Sequence, residues 1–127
     1  DGMPVGEILI VDDSSTSRMI IRRCIEMAGV EVGNFRFAEN GLDALATLKE
    51  QGGISVIVTD INMPKMDGQT FIRVLKANPQ TAGIPVIVVS SIASGDMDAE
   101  LLALGATVVV KKPVSPAKMA SAFGGLS

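Results

Sequence analysis

Asp12, Asp13, Asp60, Ser90 and Lys112 each follow directly on an apolar run or within one residue of its end. Ile8-Leu9-Ile10-Val11 closes on Asp12-Asp13, and Ser55-Val56-Ile57-Val58-Thr59 closes on Asp60. Val86-Ile87-Val88-Val89 closes on Ser90, and Val108-Val109-Val110 on Lys111-Lys112. A carboxylate ending an unbroken β-type run lies at the mouth of a sheet rather than in its core. Three carboxylates gathered there repel one another unless a cation joins them. A single strand-end Asp is most simply a loop starter or a helix cap. Two such strands, with a hydroxyl and an ammonium ending two more, are not. The chemistry that fits is a divalent metal held beside a carboxylate able to accept a phosphoryl group.

The elements that must position these groups follow from the hydrophobic periods. The first strand spans about 8–12, then Ser14 or Ser15 caps a helix with Ile20, Ile21, Cys24, Ile25 and Ala28 on one face, stopped by Gly29. Phe35 to Ala38 alternates as a short, half-exposed strand, and Asn40-Gly41 opens a second helix with Leu42, Leu45, Ala46 and Leu48 inward, ending near Gly52-Gly53. The third strand is 55–60, and Pro64 and Gly68 mark 62–68 as a loop. A third helix carries Phe71, Ile72 and Leu75 and ends before Pro79. Pro85 precedes the strand 86–90, apolar on both faces, as in parallel sheets covered by helices on both sides. A fourth helix at 96–104 turns Leu101 and Leu102 inward, with Gly105 after it; Val108–Val110 is the fifth strand. Pro116 opens a last helix carrying Met119, Ala120 and Phe123. Five successive β–α units predict an α/β fold, an open, doubly wound (βα)5 sheet. Its ligand lies at the carboxyl ends of the strands, where the winding reverses. In the flavodoxin-like order 2-1-3-4-5, that edge gathers Asp12, Asp13, Asp60, Ser90 and Lys112.

Composition narrows the function. Hydrophobic residues make up 47% and charged residues 20% of the 127, which predicts one globular domain, bounded here as 3–127. Asp1-Gly2, ahead of Met3, is read as an expression remnant. A net charge of -3 argues against non-specific nucleic-acid binding. The acids stop at Glu100, so Lys111, Lys112 and Lys118 give the C-terminal part a basic character open to an acidic partner. The lone Cys24 excludes an intrachain disulfide and fits a reducing cytosol, hence a cytoplasmic location. With no histidine, the chain has no Ser-His-Asp or Cys-His chemistry and no histidine metal ligand. No apolar run reaches the length of about 18 residues needed for membrane insertion, and no signal-peptide pattern is present.

Four stretches together resemble the response-regulator receiver domain, the phosphoacceptor module of bacterial two-component signalling. They are Ile10-Val11-Asp12-Asp13; Thr59 to Pro64 with Met66-Asp67-Gly68; Val88-Val89-Ser90-Ser91; and Lys112-Pro113. The resemblance covers about 7–123. Chemotaxis regulators of this family are themselves a known instance of the order 2-1-3-4-5, so that order comes with them rather than from the residues.

The resemblance implies that Asp60 takes a phosphoryl group from a histidine kinase, a phosphotransfer protein or a small acyl phosphate. It implies Mg²⁺, replaceable by Mn²⁺, on Asp13, Asp60 and the backbone carbonyl of Asn62, with Asp12 positioning metal-bound waters. Mg²⁺ suits such a site because it prefers octahedral oxygen ligation at about 2.0–2.1 Å and keeps several waters. Lys112 would neutralise phosphoryl oxygens, and Ser90 would turn to hydrogen-bond the new group. Ser91 and Asn62 border it, while Lys111 points to the opposite face as a solvated residue. The chain is then no enzyme but a phosphoacceptor assisting its own phosphorylation and dephosphorylation. A hydrogen bond to a charged group contributes about 1.5–3 kcal/mol, whereas full switching takes about 5.5 kcal/mol. Ser90 alone therefore cannot throw the switch; Lys112 and the backbone after the fourth strand must contribute.

The sequence departs from the family at Val109, where an aromatic residue is common. An aromatic ring cannot be the readout, so the expected relay is the 91–98 loop and the fourth helix. Ser90 replaces the family's threonine and keeps the hydroxyl, while an apolar Ile92 leaves acyl-phosphate lifetime to Asn62. A downstream protein is expected on the face of the fourth helix, fifth strand and fifth helix (α4-β5-α5), where Val109 and Lys118 fall. No DNA-binding or catalytic domain follows Phe123, which leaves a stand-alone chemotaxis-type regulator or a receiver cut from a longer one. The Ser90-Ser91 pair resembles chemotaxis methylesterase receivers. The main alternative is a degenerate receiver that docks without phosphorylation. A flavodoxin-type carrier conflicts with Asp12-Asp13 and the absence of Trp and Tyr, so the cluster Ser14-Ser15-Thr16-Ser17 is read as a cap and solvated first turn. A haloacid-dehalogenase-type phosphatase would want an acid where Asn62 stands.

Overall fold

The computed structural model describes residues 5–92 and 94–126. The expectation for residues 1–2 and the outer limits of the 3–127 domain lie outside them, as does Ala93 of the 91–98 loop. Strands and helices alternate as β1 (Val5–Val11), α1 (Ser15–Met27), β2 (Val32–Ala38), α2 (Gly41–Glu50), β3 (Ile54–Asp60), α3 (Gly68–Ala77), β4 (Val86–Ser90), α4 (Gly95–Leu104), β5 (Val108–Lys111) and α5 (Pro116–Gly124). The five strands form one sheet in the order β2-β1-β3-β4-β5, and every neighbouring pair is parallel. The flavodoxin-like doubly wound fold is therefore present as expected. Because the strands are parallel, their carboxyl ends share one edge. Val11 pairs with Thr59, Asp60 with Val89 and Ser90 with Lys111, which brings the polar residues closing those strands to one level.

Each helix starts on a residue suited to it. Ser14, Asn40, Asp67, Ser94 and Ser115 are the N-caps, each accepting from the backbone N–H three residues on. Such caps satisfy an otherwise orphaned donor and contribute about 1 kcal/mol each. After α1 the chain turns at Gly29, whose φ of 85° is one that a side chain would strain.

Beyond the register irregularity at Glu7/Ile8, from Ile8 on in β1 and Val56 on in β3, the strands alternate between two buried layers. Leu9, Val11, Ile57 and Val88 face the layer with Ala44, Phe71, Ile72, Leu75 and Leu101 from α2, α3 and α4. Ile8, Ile10, Val58, Ile87 and Val110 face the other, with Ile21, Cys24, Ile25, Met119 and Ala122 from α1 and α5. Helix faces differ from expectation at five residues. Ile20, Leu42 and Leu102 are about half exposed, at 49%, 48% and 49%, while Ala46 and Ala120 also turn outward. Ala44 and Ala122 are buried instead. These helices carry apolar residues on two faces, so periodicity alone does not choose between them; the small alanines let α2 and α5 pack close to the sheet.

Candidate functional site

Asp12 follows β1 and is tied to β2 by its N–H, which donates to the Ala38 carbonyl at 3.0 Å. Asp60 is the last residue of β3, and both carboxylates are buried, whereas Asp13 is exposed. Carboxylate oxygens from Asp12, Asp13 and Asp60 lie within 4.8 Å of one another. Lys112, the first residue after β5, brings its Nζ to 3.8 Å from Asp12 Oδ2 and 3.7 Å from Asp60 Oδ2. At that range the ammonium acts as a shared charge rather than as a hydrogen-bond donor. Its backbone N–H donates to the Ser90 carbonyl at 2.8 Å and holds the ends of β4 and β5 together.

Burial raises the pKa of Asp60 above the ordinary carboxylate value; Lys112 pulls it back and Asp12 pushes it up further. The Ile61 N–H, donating to Asp60 Oδ1 at 2.8 Å, favours the ionised form. Three carboxylates thus face one ammonium, and the edge carries excess negative charge. Oxygen donors alone, without histidine or thiol, are the set a hard divalent cation takes, so these residues fit Mg²⁺.

The loop after β3 is pinned beside the acids. The Gly68 N–H donates to the Ile61 carbonyl at 2.8 Å. A Cβ at 68 would fall 2.7 Å from Ile61 Cα and 3.1 Å from the Asp60 carbonyl oxygen. Glycine is required there by space rather than by conformation. Asn62, in this loop, is exposed, and so is Ser91 after β4. Ser90 is buried, and its Oγ accepts the Ile92 N–H at 3.0 Å.

The structure brings Asp12, Asp13, Asp60 and Lys112 together and puts Ser90 at the end of the adjacent strand. Two sequence readings change. The hydroxyl cluster is not all solvated: Ser17 Oγ donates to Asp12 Oδ2 at 2.6 Å, and Ser14 N–H donates to Asp12 Oδ1 at 3.0 Å. Arg18 adds a bond from Nη1 to the Asp12 carbonyl at 2.7 Å. Nothing in the sequence marks Ser17 beyond its place in the first turn of the helix behind Asp12. Lys111, expected to be solvated, pairs with Asp98 of α4 at 2.5 Å and donates to the Ile92 carbonyl. Lys118 Nζ likewise donates to the carbonyls of Lys111 and Pro113, at 3.0 and 2.9 Å. The expected basic surface is thus three lysines each engaged within the fold.

Comparison with known proteins identifies the family of the chain. The sequence model of the response regulator receiver domain matches residues 8–123. The chain is 37% identical to the sensor histidine kinase CheAY of Helicobacter pylori over 85% of its own length and 13% of that protein. It is 40% identical to a protein-glutamate methylesterase/protein-glutamine glutaminase of Rhodospirillum rubrum over 84% of its own length and 28% of the relative. It therefore spans less than a third of either curated relative. Among solved structures, the chemotaxis response regulator CheY4 of Vibrio cholerae superposes with a TM-score of 0.82 at 28% identity, covering 97% of this chain and 99% of the other.

Proposed function

We propose that this chain, which belongs to the response regulator receiver domain family, accepts a phosphoryl group on Asp60. The observation carrying the assignment is a buried strand-end carboxylate between two further acids and a shared ammonium. An oxygen of Asp60 bonds to phosphorus as the bond from phosphorus to the donor's nitrogen or oxygen breaks. The products are an aspartyl phosphate and the free donor group, with the electron pair leaving on that group. Lys112 sits where it can follow the phosphoryl charge from donor to Asp60, and Ser90 can donate its hydroxyl to the new group. Asn62 and Ser91, exposed beside the site, border the phosphoryl group and the water that later hydrolyses it. Asp12, Asp13, Asp60 and the Asn62 carbonyl would hold Mg²⁺ or Mn²⁺, which when bound lets an anionic carboxylate approach an anionic phosphate.

The donor is a sensor histidine kinase, a phosphotransfer protein or a small acyl phosphate, and the setting is cytoplasmic chemotaxis-type signalling. No described helix is long and apolar enough to cross a membrane. A downstream protein meets the α4-β5-α5 face. Incubation with acetyl phosphate and Mg²⁺ should add one phosphoryl group to the intact mass. Mg²⁺ uptake without an adduct would instead identify a phosphorylation-independent docking module.

The route outward runs through Ile92. Its N–H is held by Ser90 Oγ and its carbonyl by Lys111 Nζ, which also holds Asp98 of α4. When Ser90 turns to the phosphoryl group it releases the Ile92 N–H, and any shift of Ile92 passes through its carbonyl to Lys111 and so to Asp98. Lys111→Met should leave the adduct intact but abolish the beryllofluoride-induced change in amide exchange over α4. An undiminished change there would sink the relay.

A further inference from the structure

We infer that Ser17 is a positioning residue that presets the Asp12 carboxylate for the metal; the inference rests on the metal reading just given. Two donors fix Asp12, one on each oxygen. The Ser14 N–H takes Oδ1 at 3.0 Å and the Ser17 hydroxyl takes Oδ2 at 2.6 Å. The second distance is that of a charge-assisted O–H···O⁻ bond. Ser17 is itself held, because its own N–H donates to the Ser14 cap oxygen at 3.2 Å. The same first turn that caps α1 therefore grips the buried acid at the end of β1.

The alternative partner for Asp12 Oδ2 is Lys112, 3.8 Å away. Without the Ser17 hydroxyl, the nearly fully buried Asp12 would have that ammonium as its remaining counter-charge at Oδ2. Closing on it would draw Lys112 away from Asp60, now 3.7 Å distant. Ser17 thus keeps Asp12 aimed and keeps Lys112 shared between the two carboxylates. Groups that orient a ligand carboxylate in this way are worth about 10–100-fold in metal affinity when removed. An alternative role in helix stability predicts a different result. Alanine is the better helix former but cannot replace a bond to a buried carboxylate, so Ser17→Ala should stay folded and melt modestly earlier, whereas a purely helical role for Ser17 would leave metal affinity unchanged.

The test is calorimetric titration of MgCl₂ into the whole chain as wild type, Ser17→Ala and Ser17→Thr, with melting temperatures measured alongside. Ser17→Ala should bind Mg²⁺ about 10-fold more weakly or worse while still fully folded at the titration temperature, and Ser17→Thr, which restores the hydroxyl, should stay within a few-fold of wild type. Equal affinities for wild type and Ser17→Ala would overturn the inference while leaving the metal reading standing. So would a Thr variant as impaired as the Ala one. A wild type that takes up no Mg²⁺ would overturn both.

Discussion

Asp60→Asn should abolish the phosphoryl adduct entirely and, in metal-free protein near neutral pH, raise the melting temperature. The first effect follows because an amide offers no anionic oxygen to phosphorus, and Asp12 and Asp13 do not stand in the same place on the sheet edge. The second follows from burial. Asp60 is 6% exposed, and its desolvation outweighs the help of Lys112, so its pKa in the fold lies above the ordinary carboxylate value. A carboxyl whose folded pKa is raised binds its proton more tightly when folded. Folding is therefore penalised at pH above the folded pKa, and the penalty fades as pH falls through it toward the unfolded value. The asparagine variant lacks that ionisation while its side-chain oxygen can still accept the Ile61 N–H. Its advantage should be largest at neutral pH, shrink on acidification, and vanish when Mg²⁺ rescues the wild type. Intact mass after acetyl phosphate treatment and melting curves across pH check the two halves separately. An adduct on Asp60→Asn would move the acceptor elsewhere, and a variant that melts earlier at neutral pH would remove the case for a destabilised carboxylate.

The positions of Asp12, Asp60, Ser90 and Lys112 are readable from the chain because the sheet is parallel. Every strand delivers its last residue to the same edge, so a polar residue closing an apolar run is already a statement about place. The relatives add the order of strands, which alternation by itself leaves open. Residues acting from helices are harder to read. Ser17 reaches Asp12 from the next element, and its contact depends on how α1 leaves β1 rather than on any local pattern. Ile20, Leu42 and Leu102 lie on helices with apolar residues on more than one face, so the winning face is decided by docking onto the sheet. The strand period correctly turned Lys111 away from Lys112, but its partners Asp98 and Ile92 come from the preceding β–α unit. Position along a strand is a local property; partnership across elements is not.

Lys112→Met, which keeps the aliphatic stem and loses the charge, should separate metal binding from transfer by moving them in opposite directions. The ammonium lies within 4 Å of two of the three acids and repels any cation placed among them. Its removal should tighten Mg²⁺ binding several-fold, since attraction between the remaining charges goes unopposed. The same ammonium is the one positive side chain beside Asp60 among the described contacts. It is the group available to meet charge spreading over phosphoryl oxygens in a loose transition state. Losing a preorganised group of that kind costs about 10²–10³ in rate. The Asp60 pKa should rise further, because the influence that lowered it is gone while Asp12 still raises it. Metal-free Lys112→Met should accordingly be less stable than wild type at neutral pH and recover as the pH falls. Adduct formation followed by mass at saturating Mg²⁺, with calorimetric Mg²⁺ titration, reads both signs in one protein. Weaker metal binding together with slower transfer would mean that Lys112 holds the edge in shape rather than supplying charge, since a collapsed site loses both at once whereas a missing charge cannot weaken a cation's hold on three carboxylates.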